Sequence, residues 1–474
     1  IIIENCEIYD CSRAIYSKSN TDDLTVRYNY IHDCHEGFFA GTYGRWNDAN
    51  DHTKGYYVLE CSNNVLHNNL FANIKRVSII GFPEGGGDLD GMVIYNNTIY
   101  ANTGYSASIS LGSGERQQFY NNIQYGPKMD NDIGLLKWSS GDNNPEDIAD
   151  GKAEINFGLD SADHNQFGNI GSLLIRVRKP NALTISYKSL AEWRESGVLT
   201  NGSNPGEGSL ASDPMFMNTS GTMSQIDDFT LHNDSPCKGA GRNGIDMGAD
   251  ISRVGVQTGS VALSPTPTVK PSPIPTMTPI PTPTIAPSPT PTVAPTAVPT
   301  VTPTPAAVVI SENALFVAPG GNDSYTRDQN DIDHPWASPK KAWDNAQPGD
   351  TIYFREGTNA ITETIWTKYS GYDGIEDNPI TFQSYPGETA TLDGGTQGCM
   401  IIIERDWNII KKLNFTGGST AIMFSYDRGI SGGIVEDCTA QGSLGGDNAA
   451  FVYVNGGAEN ITVKNCRIVG PGVT

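Results

Sequence analysis

The sequence has no uninterrupted run of 18 apolar residues, which excludes a bilayer-spanning helix. Basic residues are few: 31 Lys and Arg stand against 53 Asp and Glu, a formal net charge of −22. Such a surface argues against nucleic acid and anionic membranes as partners. It would also repel an anionic polymer unless local basic residues or a cation intervene. There is no G-K-[ST], H-E-x-x-H or zinc-spaced Cys pattern, so phosphate-loop and zinc-peptidase chemistry have no support. The chain opens at Ile1-Ile2-Ile3, in mid-pattern, with no initiator Met and no signal peptide. We read this as a fragment or processed chain, part of a larger multidomain protein.

What is abundant is Gly, with 52 residues, and Pro, with 29. Much of the Pro falls between Ser264 and Pro305, a stretch almost wholly of Pro, Thr, Ser, Val, Ala and Ile in which Lys270 is the only charge. It cannot bury a core, and repeated Pro favours extended polyproline II. Regular structure is not expected over 260–307. The chain therefore divides into 1–258, a Pro/Thr-rich linker over 259–308, and 309–474.

The order of the two flanking parts looks inverted. After the linker, Leu315-Phe316-Val317-Ala318-Pro319-Gly320-Gly321 reads as a strand and turn that open a domain. Ser338 is an N-cap candidate with Pro339 at the first helical position, predicting a short helix that covers the end of a solenoid. Before the linker, Asp228-Phe229-Thr230-Leu231, Asp234-Ser235-Pro236-Cys237-Lys238-Gly239 and Asp246-Met247-Gly248-Ala249 read as the end of one.

Both parts carry the same repeat. Asn5-Cys6-Glu7-Ile8-Tyr9-Asp10-Cys11 matches Tyr28-Asn29-Tyr30-Ile31-His32-Asp33-Cys34. Further copies lie at Asn68-Asn69-Leu70-Phe71, Asn97-Thr98-Ile99-Tyr100, Asn121-Asn122-Ile123, Asp437-Cys438-Thr439 and Asn465-Cys466-Arg467. Aligning positions 6, 29, 68, 97 and 121, then 438 and 466, gives steps of 23, 39, 29, 24 and 28. A period in the twenties, with two strands flanking a turn Asn, is the mark of stacked β-coils. Coils stacked at about 4.8 Å turn equivalent residues into ladders. Inward Val, Ile and Leu form the core, and Asn satisfies its amide between coils. Cys6, Cys438 and Cys466 read as reduced ladder residues. Cys11 and Cys34 share a second position and could oxidise to each other if their coils are adjacent.

With Ser189-Leu190-Ala191-Glu192-Trp193, Asp213-Pro214-Met215-Phe216 and the opening and closing segments, this pattern resembles the right-handed parallel β-helix superfamily of secreted bacterial carbohydrate-active proteins. That superfamily includes pectate, alginate and chondroitin lyases and some glycoside hydrolases. The fold expected is all-β, a right-handed parallel β-helix in two parts separated by a disordered linker. The resemblance implies an extracellular polysaccharide substrate. In its lyases, calcium or basic side chains neutralise a uronate carboxylate and a Lys or Arg removes the C5 proton.

Two coils are enlarged. The first carries a polar excess from His35 to Lys54, read as a loop. There Tyr43 and Trp46 could stack on sugar rings, Arg45 could hold a carboxylate, and His52 or Lys54 could take a proton. The second carries Lys75 and Arg76, further candidates for proton removal, and then Glu84, Asp88 and Asp90 in a Gly-rich turn that suits calcium. The loops at 35–58 and 75–91 are expected to border one groove. A glycoside hydrolase would instead need two carboxylates, which Glu36, Asp48, Asp51, Asp88 and Asp90 could supply. A non-catalytic carbohydrate-binding β-helix is the third reading.

The parts look complementary. Joining Thr474 to Ile1 would give a step of 14 between Cys466 and Cys6, about nine short of the smallest step. The chain could be a piece of a protein with tandem β-helices, the origin we favour, or a permuted solenoid whose second part folds back beneath Ile1.

Overall fold

The computed structural model describes residues 1–17, 21–46, 56–59, 61–84, 89–111, 114–126, 136–139, 157–168, 175–178, 184–196, 206–218, 223–257, 310–426, 428–441, 450–455 and 457–471. For 41–46, 56–59, 82–84, 114–115, 136–139, 157–160, 175–178 and 184–186 it describes strand backbone alone. The linker lies outside the described residues.

Nine rungs bend at one residue with φ between 50° and 57°: Asn5, Tyr28, Asn68, Asn96, Asn121 and His164 in the first part, Lys412, Asp437 and Asn465 in the second. Asn recurs there because its short side chain tolerates the left-handed region at little cost. The bend separates two three-residue strands, such as Ile2–Glu4 and Glu7–Tyr9. A second bend, at Asp10, Asp33 or Asn73, leads to a third strand. The result is a parallel β-helix with three faces.

The first face is a 12-stranded sheet and the second has 11 strands. Both run without a break through both parts of the chain. On the first face Ile2–Glu4 pairs in parallel with Thr462–Lys464, with Ile3 opposite Val463. On the second, Glu7–Tyr9 pairs with Arg467–Val469. Residues Ile1–Gln257 and Ser311–Thr474 thus form one compact unit, a single closed solenoid. The middle residues of the first face make one apolar column: Ile352, Phe382, Ile410, Val435, Val463, Ile3, Val26, Leu66, Ile94, Phe119 and Ala162. The column passes the junction between Val463 and Ile3 with no change of register.

Beside it runs a polar ladder. The Cys6 amide donates to Asn29 Oδ1 at 3.0 Å, Asn29 to Asn69, Asn69 to Asn97, Asn97 to Asn122, Asn122 to Asn165, and Asn165 to Ser209 Oγ. The steps are 23, 40, 28, 25, 43 and 44 residues. Positions 68 and 121 were therefore aligned one residue early. In each Asn-Asn pair the first residue makes the left-handed bend and the second enters the ladder. Beyond Cys6 the slot holds Cys466 and Cys438, both buried, with thiols directed at backbone carbonyls. None of the eight cysteines is in a disulfide. Cys11 and Cys34 do sit on adjacent rungs. Burial pushes the Cys34 thiol up, and its contact lowers that of Cys11.

The segment with the terminal pattern does not cover the end of the helix. It runs back along the second face, held by the outward Asn side chains of the bends. Asn121 accepts from Arg242, Asn96 donates to Asp246 and Gly248, and Asn68 accepts from Asp250. Asn5 then donates to Arg253, and Asn465 accepts from Gln257 at 2.6 Å, across the junction. Phe216, Phe229, Met247 and Val254 pack with Tyr30, Leu70, Tyr100 and Ile123 in a second apolar layer.

His67 lies under this strap, stacked on Tyr95 at 4.9 Å, and its Nδ1 lies 3.0 Å from the Asn68 amide nitrogen. Burial, with Arg27 and Arg253 nearby, pushes its pKa down to about 4. The unfolded chain takes up this proton near pH 6.5 and the folded one only near 4, so stability is complete above 6.5 and falls between the two. Thermal melting is expected to show this loss in the wild type and to lose that component in His67→Gln. An unchanged acid profile in the variant would remove His67 from the account.

At the opposite end, helix Pro339–Asn345 has Ser338 as N-cap, accepting from the Lys341 amide, and Pro at its first turn. Its buried Trp343 stacks on Phe382 at 3.9 Å, against the first rungs of the apolar column. No helix among the described residues is long and apolar enough to cross a membrane.

Candidate functional site

The third face consists of two sheets. One holds Ile365–Trp366, Cys399–Ile403, Thr420–Phe424 and Ala450–Val454. The other begins at Arg13–Ser17, continues through Glu36–Trp46 and Val77–Glu84, and carries the enlarged coils. Residues 36–46 are not a loop. Phe38 and Ala40 are fully buried at a period of two, a strand signal masked by the surrounding Gly and polar residues. Gly37 is needed for the strand to approach its neighbour: a Cβ there would lie 2.3 Å from the Ser78 carbonyl oxygen. The strand pairs with Val77–Glu84 from Val77 opposite Glu36 to Glu84 opposite Tyr43. It then returns as a hairpin, with Trp46 opposite Tyr56. The two enlarged coils are thus direct neighbours.

At the base of these strands lies a buried carboxylate. The Glu36 side chain is 3% exposed. Arg13 Nε donates to its Oε2 at 2.8 Å, and Arg76 Nη1 to its Oε1 at 2.7 Å. Burying an unpaired carboxylate would cost several kcal/mol, about 3–5 when a partner is removed, so both oxygens are engaged. The two arginine side chains are 43% and 54% exposed. Arg13 also lies over the Phe39 ring at 4.7 Å and the Tyr16 ring at 5.1 Å. The carboxylate fixes two cations at the surface, in a geometry suited to a carboxylate or sulfate ligand.

Of the sequence-predicted residues, the structure brings Arg76 into this cluster. Lys75 is its half-buried chain neighbour, with its amide on the Cys34 carbonyl. Tyr43, Arg45 and Trp46 follow on the strand that Glu36 begins, and Glu84 ends the adjacent one. His52, Lys54 and Asp88 lie outside the described residues, as do Asp48 and Asp51. Asp90 is separate and pairs with Arg116. The side chains of Glu84 and Asp88 lie outside the described residues, and no step is assigned to a metal. Arg13 was missed because it meets Glu36 only through strand register, 23 residues away.

Two other clusters carry less. His32 contacts Asp33 at 2.7 Å and Glu7 at 3.5 Å. Burial lowers its pKa, but these carboxylates outweigh burial and raise it. Its ring is stacked between Tyr9 and Tyr30, so both faces are already covered. A cleft of about 350 Å³ beside the capping helix mixes both signs of charge, with Lys340 paired to Asp344.

Residues 1–144 match the family model described as a right handed beta helix region. Residues 315–468 match one described as a Pel9A-like, right handed beta helix region. The chain belongs to the right-handed parallel β-helix superfamily. Among solved structures this β-helix is similar to a PL6 family alginate lyase, at 11% identity over 98% of this chain and 58% of that one, with a TM-score of 0.22. A likeness so distant says nothing of activity, and the β-helix described here spans little more than half of that lyase. No curated protein matches.

Proposed function

We propose that this β-helix is an extracellular polysaccharide-active protein that cleaves a uronic-acid-containing glycan by β-elimination. The observation that carries the reading is the pair Arg13 and Arg76, held at the surface by buried Glu36 on the enlarged coils of a chain with net charge −22. In so acidic a molecule, a built cationic site is where an anionic polymer would dock. The guanidinium groups would neutralise the uronate carboxylate and so acidify the C5 proton. A base, for which Lys75 and Lys54 are the candidates, takes that proton. The electron pair forms the C4–C5 double bond as the C4–O bond to the next sugar breaks, and the departing oxygen gains a proton.

Incubation with polygalacturonate and alginate is expected to produce ultraviolet-absorbing unsaturated ends. Arg76→Ala should lower kcat/KM by about tenfold or more, the worth of a charge-assisted hydrogen bond. Because the variant leaves one oxygen of buried Glu36 without its partner, its melting temperature should fall as well, and kcat/KM is compared at a temperature well below that of the variant's unfolding. New reducing ends without absorbance would point to hydrolysis, and retained glycan without new ends to a binding protein. Either result would sink the elimination reading.

A further inference from the structure

The other sheet of the third face carries a feature that no core requirement explains. Trp366 ends the strand Ile365–Trp366 and is followed by a single turn, Thr367–Tyr369. The Trp366 ring meets Tyr369 edge-on at 5.1 Å and Tyr426 at 5.4 Å. Tyr369 is 74% exposed and Tyr426 53%. Lys368 Nζ lies 5.6 Å from the Trp366 ring centre and 5.8 Å from that of Tyr369.

This cluster is held rigidly from below. Glu404 is fully buried, and its two oxygens fix two different segments. Oε2 accepts from the Trp366 indole N–H at 3.0 Å, and Oε1 from the Tyr426 backbone amide at 3.1 Å. The Glu404 amide donates to Thr367 Oγ1, and Arg405 donates to the Thr367 and Lys368 carbonyls. A buried carboxylate is costly to maintain. Here it positions aromatic rings that are left in water, where large apolar faces are unfavourable unless a ligand covers them.

We propose that Trp366, Tyr369 and Tyr426 form a stacking ledge for a pyranose ring of an acidic polysaccharide, with Lys368 facing a uronate carboxylate. Aromatic faces take the C–H face of a sugar, and rings that are already ordered lose little entropy on binding. The ledge lies on the same face of the solenoid as Arg13, Glu36 and Arg76. Counting rungs, the two are about four to six apart, roughly 20–30 Å at about 4.8 Å per rung. A single polymer chain of several residues would engage both. The proposal rests on the reading of the protein as polysaccharide-active and extends it to a second contact on the other part of the chain.

The test is retention of the full chain in gels containing polygalacturonate or alginate. The double variant Tyr369→Ala/Tyr426→Ala should lose affinity by about tenfold or more, whereas Tyr369→Phe/Tyr426→Phe should keep it, since stacking needs the ring and not the hydroxyl. Both tyrosines are exposed, so melting temperatures should be unchanged. Trp366→Phe should also remove the binding-induced change in tryptophan fluorescence. If wild type and the double alanine variant are retained equally, the ledge is overturned and the functional reading stands. If the wild type is retained by neither polymer, the functional reading falls and the ledge with it.

Discussion

A cut placed between residues 264 and 305 is expected to leave the protein in one piece. The two fragments should co-elute as a single 1:1 species under native conditions. Across their boundary, Ile2 donates to Ile461, Glu7 to Cys466, Asn465 to Glu4, Gly470 to Tyr9, and Gln257 to Asn465. Arg467 pairs with Glu7 at 2.9 Å. Each hydrogen bond contributes only about 1 kcal/mol net. Association costs roughly 4–15 kcal/mol in lost freedom, so the polar contacts alone do not decide the outcome. The apolar column decides it: Ile3 on Val463, Ile8 on Ile468 and Cys6 on Cys466 bury side chains at about 2 kcal/mol each for the larger ones. Without closure, both ends would also present open strand edges, which invite aggregation. Val463→Asp places a charge in that column and should separate the fragments. Independent elution of unmodified fragments would show that the junction does not hold. The linker presents no obstacle to closure. Gln257 lies beside Asn465 and Ser311 beside Tyr353, rungs about 19 Å apart, and 53 residues separate them.

The largest single-residue loss of stability is expected in the Asn ladder. Asn69 is fully buried and accepts from both the backbone and the side chain of Asn29. It donates to the Val26 carbonyl and to Asn97. Asn69→Ala leaves at least two of these buried groups without partners. At about 1–3 kcal/mol for each, the loss is on the order of 3–5 kcal/mol. The neighbouring Asn68 offers an internal control. It supplies the left-handed bend and accepts from Asp250, so Asn68→Ala should cost about 1–2 kcal/mol. Denaturant unfolding of both variants checks the order. If Asn69→Ala proved no more damaging than Asn68→Ala, the ladder would not be the stabilising element it is described as. Replacement by Cys should be milder than by Ala, since Cys6, Cys466 and Cys438 already occupy the same slot.

Much of this was open to a reading of the chain alone. The repeat in the twenties, the Asn at each bend, the alternating core residues and the N-cap Ser338 with Pro339 are local signals. Each reflects the conformational preference or burial of residues close in sequence. Where the local signal was ambiguous, the reading slipped. Asn68-Asn69 and Asn121-Asn122 give two identical residues with opposite duties, and only the bend tells them apart. Residues 36–46 looked like a polar loop because Gly37, Gly41 and Gly44 hide a period of two. Tertiary structure alone decided the rest. Ile3 meets Val463 across 460 residues. Glu36 joins Arg13 to Arg76, and Glu404 joins Trp366 to Tyr426, because stacked rungs bring together residues some 20 to 40 apart. In a solenoid, rung shape is written locally. Which side chains share a site depends on register between rungs, and register is set by the summed length of every intervening turn.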